Sequence, residues 1–198
     1  MSEPALPPAP PRTAVALPAG VWKPILLRGA VAGVFGLATA FWQQPSGLGA
    51  SLATALYLVL TAAAVLWLRT ALAAASKKVL TALAIEAAFL VLAGLLALVL
   101  HGPVTYGLAV GLGLLAAGAT ALVAGWHERK GSQLARDRLS TGAVMLSTGV
   151  ILPFFIPMGS KALMGVVGGS AIILAVLLLL ASLSYRHDEL QSGGQAVN

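Results

Sequence analysis

Long apolar runs, separated by short polar connections, are the dominant pattern of this chain. A helix that crosses a bilayer needs about 20 mostly apolar residues. Membrane β-strands are shorter and alternate between apolar and polar side chains. The runs here are long and continuous, which predicts membrane-spanning helices. Six windows qualify, at residues 24–42, 48–68, 79–100, 104–126, 139–156 and 162–185.

The composition agrees with this pattern. Of the 198 residues, 59% are hydrophobic and only 9% are charged, whereas soluble domains have about 25% charged residues. A chain with so little polar surface needs lipid as its main solvent, which excludes a soluble enzyme and a nucleic-acid-binding module. Cysteine is absent, which excludes disulfides and thiolate chemistry. We predict an all-α polytopic membrane protein whose main partner is the lipid bilayer.

The basic residues lie mostly on one side of the predicted membrane. Ten of the twelve Lys and Arg residues precede the first window, follow the sixth, or lie in the connections after the second and fourth. The opposite side has only Lys161, and Arg28 falls inside the first window. The positive-inside rule therefore predicts that both termini are cytoplasmic. The net charge of +6 follows from this orientation and requires no nucleic-acid partner.

The polar segments also divide the chain. Residues 1–21 are rich in proline and are predicted to be a disordered cytoplasmic tail. Residues 22–187 form the predicted six-helix domain, and 188–198 a second disordered cytoplasmic tail. Connections on the outer side are shorter than those on the basic side. This difference predicts three helical hairpins, each entering from the basic side.

Internal similarity supports the hairpins. Arg28-Gly29-Ala30-Val31 aligns with Thr141-Gly142-Ala143-Val144, and Gly36-Leu37 aligns with Gly94-Leu95. These matches predict that the hairpins are pseudo-repeats. Small residues at such positions let helix backbones approach closely in a membrane, either within one bundle or at a seam between two copies. The candidate packing residues are Gly29, Gly33, Gly36, Gly94, Gly142 and Gly149.

Two ionised side chains lie clearly inside the windows. Arg28 and Glu86 occupy equivalent positions in the first two hairpins, with Thr141 as the equivalent in the third. Because a charge at the bilayer centre costs about 2.5–3.5 kcal/mol, one hypothesis is an intramembrane Arg28–Glu86 ion pair. The alternative is that Arg28 extends its long side chain to the lipid headgroups. The three histidines are scattered along the chain, so we predict no metal site, no cofactor and no catalytic residue.

Leucine, glycine and proline recur at fixed places in the first two hairpins. The first contains Trp22, Leu26-Leu27-Arg28-Gly29-Ala30, Phe35-Gly36-Leu37 and Pro45, and the second contains Ala84-Ile85-Glu86-Ala87, Leu92-Ala93-Gly94-Leu95 and Pro103. This outline resembles the repeat of the HdeD-like acid-resistance membrane proteins, which have six helices in three short hairpin repeats. The second hairpin departs from it at Ala87, where the repeat has glycine, and the second and third lack the leading tryptophan.

The resemblance covers about residues 22–187. It implies a non-enzymatic protein of the bacterial inner membrane, linked to acid or envelope stress, with no site residues beyond Arg28 and Glu86. Two other functions stay open. A small transporter or channel would have a path near these two residues. An accessory subunit of a membrane complex, or a homo-oligomer, would expose a stripe of small residues that has no partner inside the bundle.

Overall fold

The computed structural model describes residues 18–100, 102–128 and 133–195. Each of the six α-helices belongs to a segment that is long and apolar enough to cross a membrane, with the short 3-10 helix Leu152–Met158 continuing the fifth. The predicted all-α polytopic architecture is confirmed. The α-helices are α1 Trp22–Phe41, α2 Gly47–Ala71, α3 Lys77–Val99, α4 Pro103–His127, α5 Gln133–Ile151 and α6 Ser160–Gln195.

Short polar residues fix several helix ends. The hydroxyl of Ser46 accepts a hydrogen bond from the backbone N–H of Gly49 at 3.0 Å, and Ser76 caps α3 in the same way. The α-helical part of the fifth span ends at Ile151 because Pro153 cannot donate a helical hydrogen bond. The 3-10 helix that follows ends at Gly159, whose φ of 84° favours glycine.

The helices form a closed ring in chain order, in which each helix contacts the next and α6 contacts α1. We call the end of the ring where α1, α3 and α5 begin the basic end. The most extensive contacts join different hairpins, namely α1 with α6, α2 with α3 and α4 with α5. Contacts between hairpins are therefore more extensive than contacts between the two helices of one hairpin.

One contact recurs at all three junctions. In α1, α3 and α5, the glycine at the repeat-equivalent position faces a backbone carbonyl oxygen of the helix across the junction. A Cβ atom there would lie only 2.6–3.2 Å from that oxygen, closer than most real Cβ contacts, so glycine favours the close approach. The pairs are Gly36 with Gly168, Gly94 with Ala55, and Gly149 with Gly111.

The other candidate glycines also lie against a neighbouring helix, and at Gly33 the contact is loose enough for a Cβ atom. Gly29 and Gly33 face α6, and Gly142 faces the backbone of Gly118 in α4. All six candidate packing glycines thus contact another helix of their own bundle. The structure accounts for them by packing within one chain, without a seam between two copies.

Helix α6 is longer than predicted. It continues to Gln195, whereas the sequence predicts a disordered tail at 188–198. Contacts with the start of α1 hold this extension. The backbone N–H of Gly20 donates to the Glu189 carboxylate at 3.0 Å, and the Arg186 guanidinium lies 5.5 Å from the centre of the Trp22 ring. Residues 1–17 of the predicted N-terminal tail, and residues 196–198, lie outside the described residues.

We predict that Gly149→Ala lowers the free energy of unfolding by about 1–3 kcal/mol. The new Cβ atom would lie 2.6 Å from the carbonyl oxygen of Gly111 and 2.7 Å from the backbone nitrogen of Leu115. These are backbone atoms, so relief requires the two helices to separate. The measurement is denaturant unfolding of the purified protein in detergent.

Gly165→Ala on α6 is the matched control. Among the described residues, no atom lies within 4 Å of a Cβ at this position, and alanine favours a helix over glycine. We expect the control to be at least as stable as the wild type. Equal losses in the two variants would contradict the close approach at Gly149.

Candidate functional site

Arg28, Glu86 and Arg138 meet inside the bundle and form what we call the Arg–Glu–Arg cluster. The Nη2 atom of Arg28 donates a hydrogen bond of 2.9 Å to Oε1 of Glu86. The Nη2 atom of Arg138 lies 3.8 Å from Oε2 of the same carboxylate. Each of the three residues is at most 8% exposed. Arg28 therefore points into the bundle as an ion-pair partner and does not extend to the lipid headgroups.

The repeat explains why these residues meet. Helices α1, α3 and α5 all begin at the basic end, and the three charged residues lie five to nine residues inside them. At 1.5 Å per residue this corresponds to a depth of roughly 8–14 Å. Thr141, the equivalent of Arg28 and Glu86 in the third hairpin, is buried and lines a small cavity together with these two residues. The three equivalent positions thus converge inside the ring.

Sequence reasoning missed Arg138. The fifth apolar window begins at residue 139, which places Arg138 in the connection before it. In the structure α5 begins at Gln133, six residues earlier, and its buried face includes Leu134, Arg138 and Thr141. The signal in the sequence is the spacing of three or four residues that continues upstream from Thr141 through Arg138 to Leu134. A window of mean hydropathy does not show this spacing, because the arginine lowers the mean hydropathy of the window.

A small cavity of about 30 Å³ adjoins the cluster, and all six helices contribute to its lining. Its volume has room for about two water molecules. The polar part of its lining comes from Arg28, Glu86, Asp137, Arg138 and Thr141, and the rest is apolar. The ring is thus nearly solid at the level of the cluster.

The cluster contains more positive than negative charge. Arginine keeps its proton in proteins, so two guanidinium groups face one Glu86 carboxylate. The Nε, Nη1 and Nη2 atoms of Arg138 and the Nε atom of Arg28 are buried and have no hydrogen-bond partner within residues 18–100, 102–128 and 133–195. The second hydrogen-bonding contact of Arg28 is a weak one, from Nη2 to the sulfur of Met145 at 3.4 Å.

Two further carboxylates lie near the cluster. Asp137 lines the cavity and accepts a hydrogen bond from the hydroxyl of Tyr185 in α6. Glu128 follows the last residue of α4. Burial raises the pKa of the Glu128 carboxyl, and the positive charge of Arg138 acts in the opposite direction. Within the described residues, both ion pairs of the cluster run to Glu86.

The histidines and carboxylates of the described residues bear on a metal site. Within residues 18–100, 102–128 and 133–195, no group of three or more His, Asp or Glu side chains is arranged to hold a metal ion. A comparison with known protein families, curated proteins and solved structures finds no match. The HdeD-like resemblance therefore stays a prediction from the sequence.

We predict that Glu86→Gln destabilises the protein more than Arg28→Gln. Loss of Glu86 leaves both guanidinium groups without their nearest counter-charge, and breaking a buried pair in this way costs about 3–5 kcal/mol. Loss of Arg28 leaves the Arg138 cation beside the Glu86 carboxylate, so the charges stay balanced. We therefore expect a smaller loss of stability for this variant. Thermal unfolding of the variants in detergent, at one pH and ionic strength, measures the order. Equal or reversed losses would contradict the excess positive charge in the cluster.

Proposed function

We propose that this chain is a non-enzymatic, multi-pass protein of the bacterial inner membrane, of the HdeD-like kind, that contributes to survival under acid or envelope stress. One observation carries this proposal. Three hairpins are joined by the same glycine contact, and the first two bring Arg28 and Glu86 together from equivalent positions. This arrangement agrees with the three-repeat, six-helix outline that the resemblance implies.

The distribution of basic residues supports an orientation with both termini in the cytoplasm. Near the basic end are residues such as Lys23, Arg69, Lys77 and Arg186, whereas Lys161 lies at the opposite end. A cytoplasmic excess of Lys and Arg in short connections sets the orientation of bacterial membrane proteins. The six helices return the chain to the side on which it entered.

The cavity supports a structural role over transport. A transport path needs a continuous polar route or a cavity that holds its substrate. The cavity beside Arg28 and Glu86 has room for about two water molecules, so it does not hold an organic substrate. A buried ion pair with this geometry also fixes which helices meet and in which register.

Two measurements test this proposal. Reporter fusions at each terminus and in the connection between α1 and α2 are expected to place both termini in the cytoplasm and this connection outside. A deletion strain is expected to survive exposure to low pH less well than its parent, with equal growth at neutral pH and rescue by the wild-type gene. A terminus found outside the cell would contradict the orientation, and equal survival at low pH would contradict the stress role.

A partner within the membrane is the second candidate. Gly165 and Gly169 lie four residues apart on the exposed face of α6. Among the described residues, no atom lies within 4 Å of a Cβ at either position. A stripe of small residues without an internal partner favours a second copy or a subunit of a larger complex.

We predict that Gly165→Leu abolishes such an association without unfolding the bundle, because the leucine side chain keeps the partner helix away from α6. Gly165→Ala keeps the residue small and is the control. Crosslinking in native membranes measures the association, and thermal unfolding measures the bundle. Identical crosslinking of the wild type and both variants would contradict a contact at this stripe.

A further inference from the structure

The Arg138 guanidinium is a buried cation whose hydrogen-bonding capacity is unused. Arg138 is only 6% exposed, and none of its three guanidinium nitrogens has a hydrogen-bond partner in the part of the chain that the structure describes. The distance of 3.8 Å from its Nη2 atom to Oε2 of Glu86 is too long for a hydrogen bond. The other carboxylate oxygen, Oε1, already accepts a hydrogen bond from Arg28. A buried arginine does not shed its charge by losing a proton. A guanidinium in this state requires an acceptor.

Among the described residues, no group around Arg138 accepts a hydrogen bond from its guanidinium. Glu86 of α3 is shared with Arg28 of α1. Asp137 of α5 accepts the hydrogen bond from Tyr185 of α6, and Glu128 at the end of α4 forms no ion pair with Arg138 within 4 Å in the described residues. The residues of α2 that line the cavity are apolar, namely Ala64, Val65 and Leu68.

The adjoining cavity has the size and the position for an acceptor from solution. Its volume of about 30 Å³ fits one small ion or about two water molecules. Arg138 is five residues inside α5, which is about 8 Å along the helix axis. The cavity therefore lies close to the aqueous phase at the basic end, and an ion from that side need not cross the bilayer to bind there. Phosphate and sulfate, with four oxygens each, exceed this volume, and so does a lipid headgroup.

We propose that the cavity binds one small monovalent inorganic anion of about chloride size, held by the guanidinium of Arg138. The polar lining also includes Arg28, Thr141 and the carboxylates of Glu86 and Asp137. The bound anion balances the excess positive charge of the Arg–Glu–Arg cluster and accepts hydrogen bonds from the N–H groups of Arg138, which have no acceptor among the described residues. Charge-assisted hydrogen bonds of this kind are the strong ones. The site does not depend on the proposed stress role, and its test uses purified protein.

The test is thermal unfolding of the full chain in an uncharged detergent, with sodium chloride exchanged for sodium gluconate at constant ionic strength and pH. We expect a saturable rise of the unfolding temperature with chloride and bromide, because an anion that binds only the folded state stabilises it. Gluconate and sulfate are expected to have no such effect. Arg138→Gln should lose the chloride dependence. Arg136→Gln is the matched control, because Arg136 is exposed on the same helix and its loss removes the same charge.

Chlorine NMR line broadening gives a second measurement that does not depend on Arg138→Gln being folded. The wild type is expected to broaden the chloride resonance, and bromide should reverse the effect. Glu86→Gln removes the carboxylate that competes with the anion, so we expect it to lower the Kd for chloride by about tenfold.

Each contrary result has a definite meaning. A wild type that neither responds to the exchange of chloride for gluconate nor broadens the resonance would overturn the proposal and leave water as the occupant. Retained chloride dependence in Arg138→Gln would place the ion elsewhere. Equal stabilisation by sulfate or phosphate would overturn the assignment to a small monovalent ion.

Discussion

The close approach of helix backbones at the three hairpin junctions is the constraint on which the rest of this structure depends. In lipid, burial of apolar side chains no longer drives helices together, so association relies on van der Waals contact over short distances. Gly36, Gly94 and Gly149 provide this contact at equivalent places, each against a backbone carbonyl oxygen of the helix across the junction. Because the ring closes at these junctions, the inward faces of α1, α3 and α5 meet at a common depth.

The charged cluster shows how a repeated backbone acquires an asymmetric interior. The three equivalent positions carry an arginine, a glutamate and a threonine, and a second arginine lies one turn before the threonine. The Arg28–Glu86 pair offsets part of the cost of two charges in the membrane, whereas Arg138 adds a second cation that shares the same carboxylate at 3.8 Å and forms no hydrogen bond with any described residue. The Arg–Glu–Arg cluster, which fixes the register of the helices in the ring, thus also makes the ring dependent on the ions around it.

Most of the fold followed from the sequence because a long, continuous apolar run satisfies its backbone hydrogen bonds in lipid by forming a helix. The repeat also gave the depth of Arg28 and Glu86, since equivalent positions of like-oriented hairpins lie at one level. Arg138 and the extension of α6 did not follow, for related physical reasons. Arg138 and the end of α6 both lie in polar stretches whose helical structure depends on tertiary contacts, such as those of Arg186 and Glu189 with the start of α1. A hydropathy window does not register such contacts.

The junction between α1 and α6 has a consequence for biogenesis. The first and the last helix of the chain are neighbours, and the backbone contact at Gly36 forms only when α6 is in place. Synthesis proceeds from the N-terminus, so α1 enters the membrane with Arg28 before the helix that bears Glu86 exists. The nascent chain therefore carries an unneutralised cation through the early stages of insertion, and the insertion machinery or the headgroup region must shelter it until the third helix arrives.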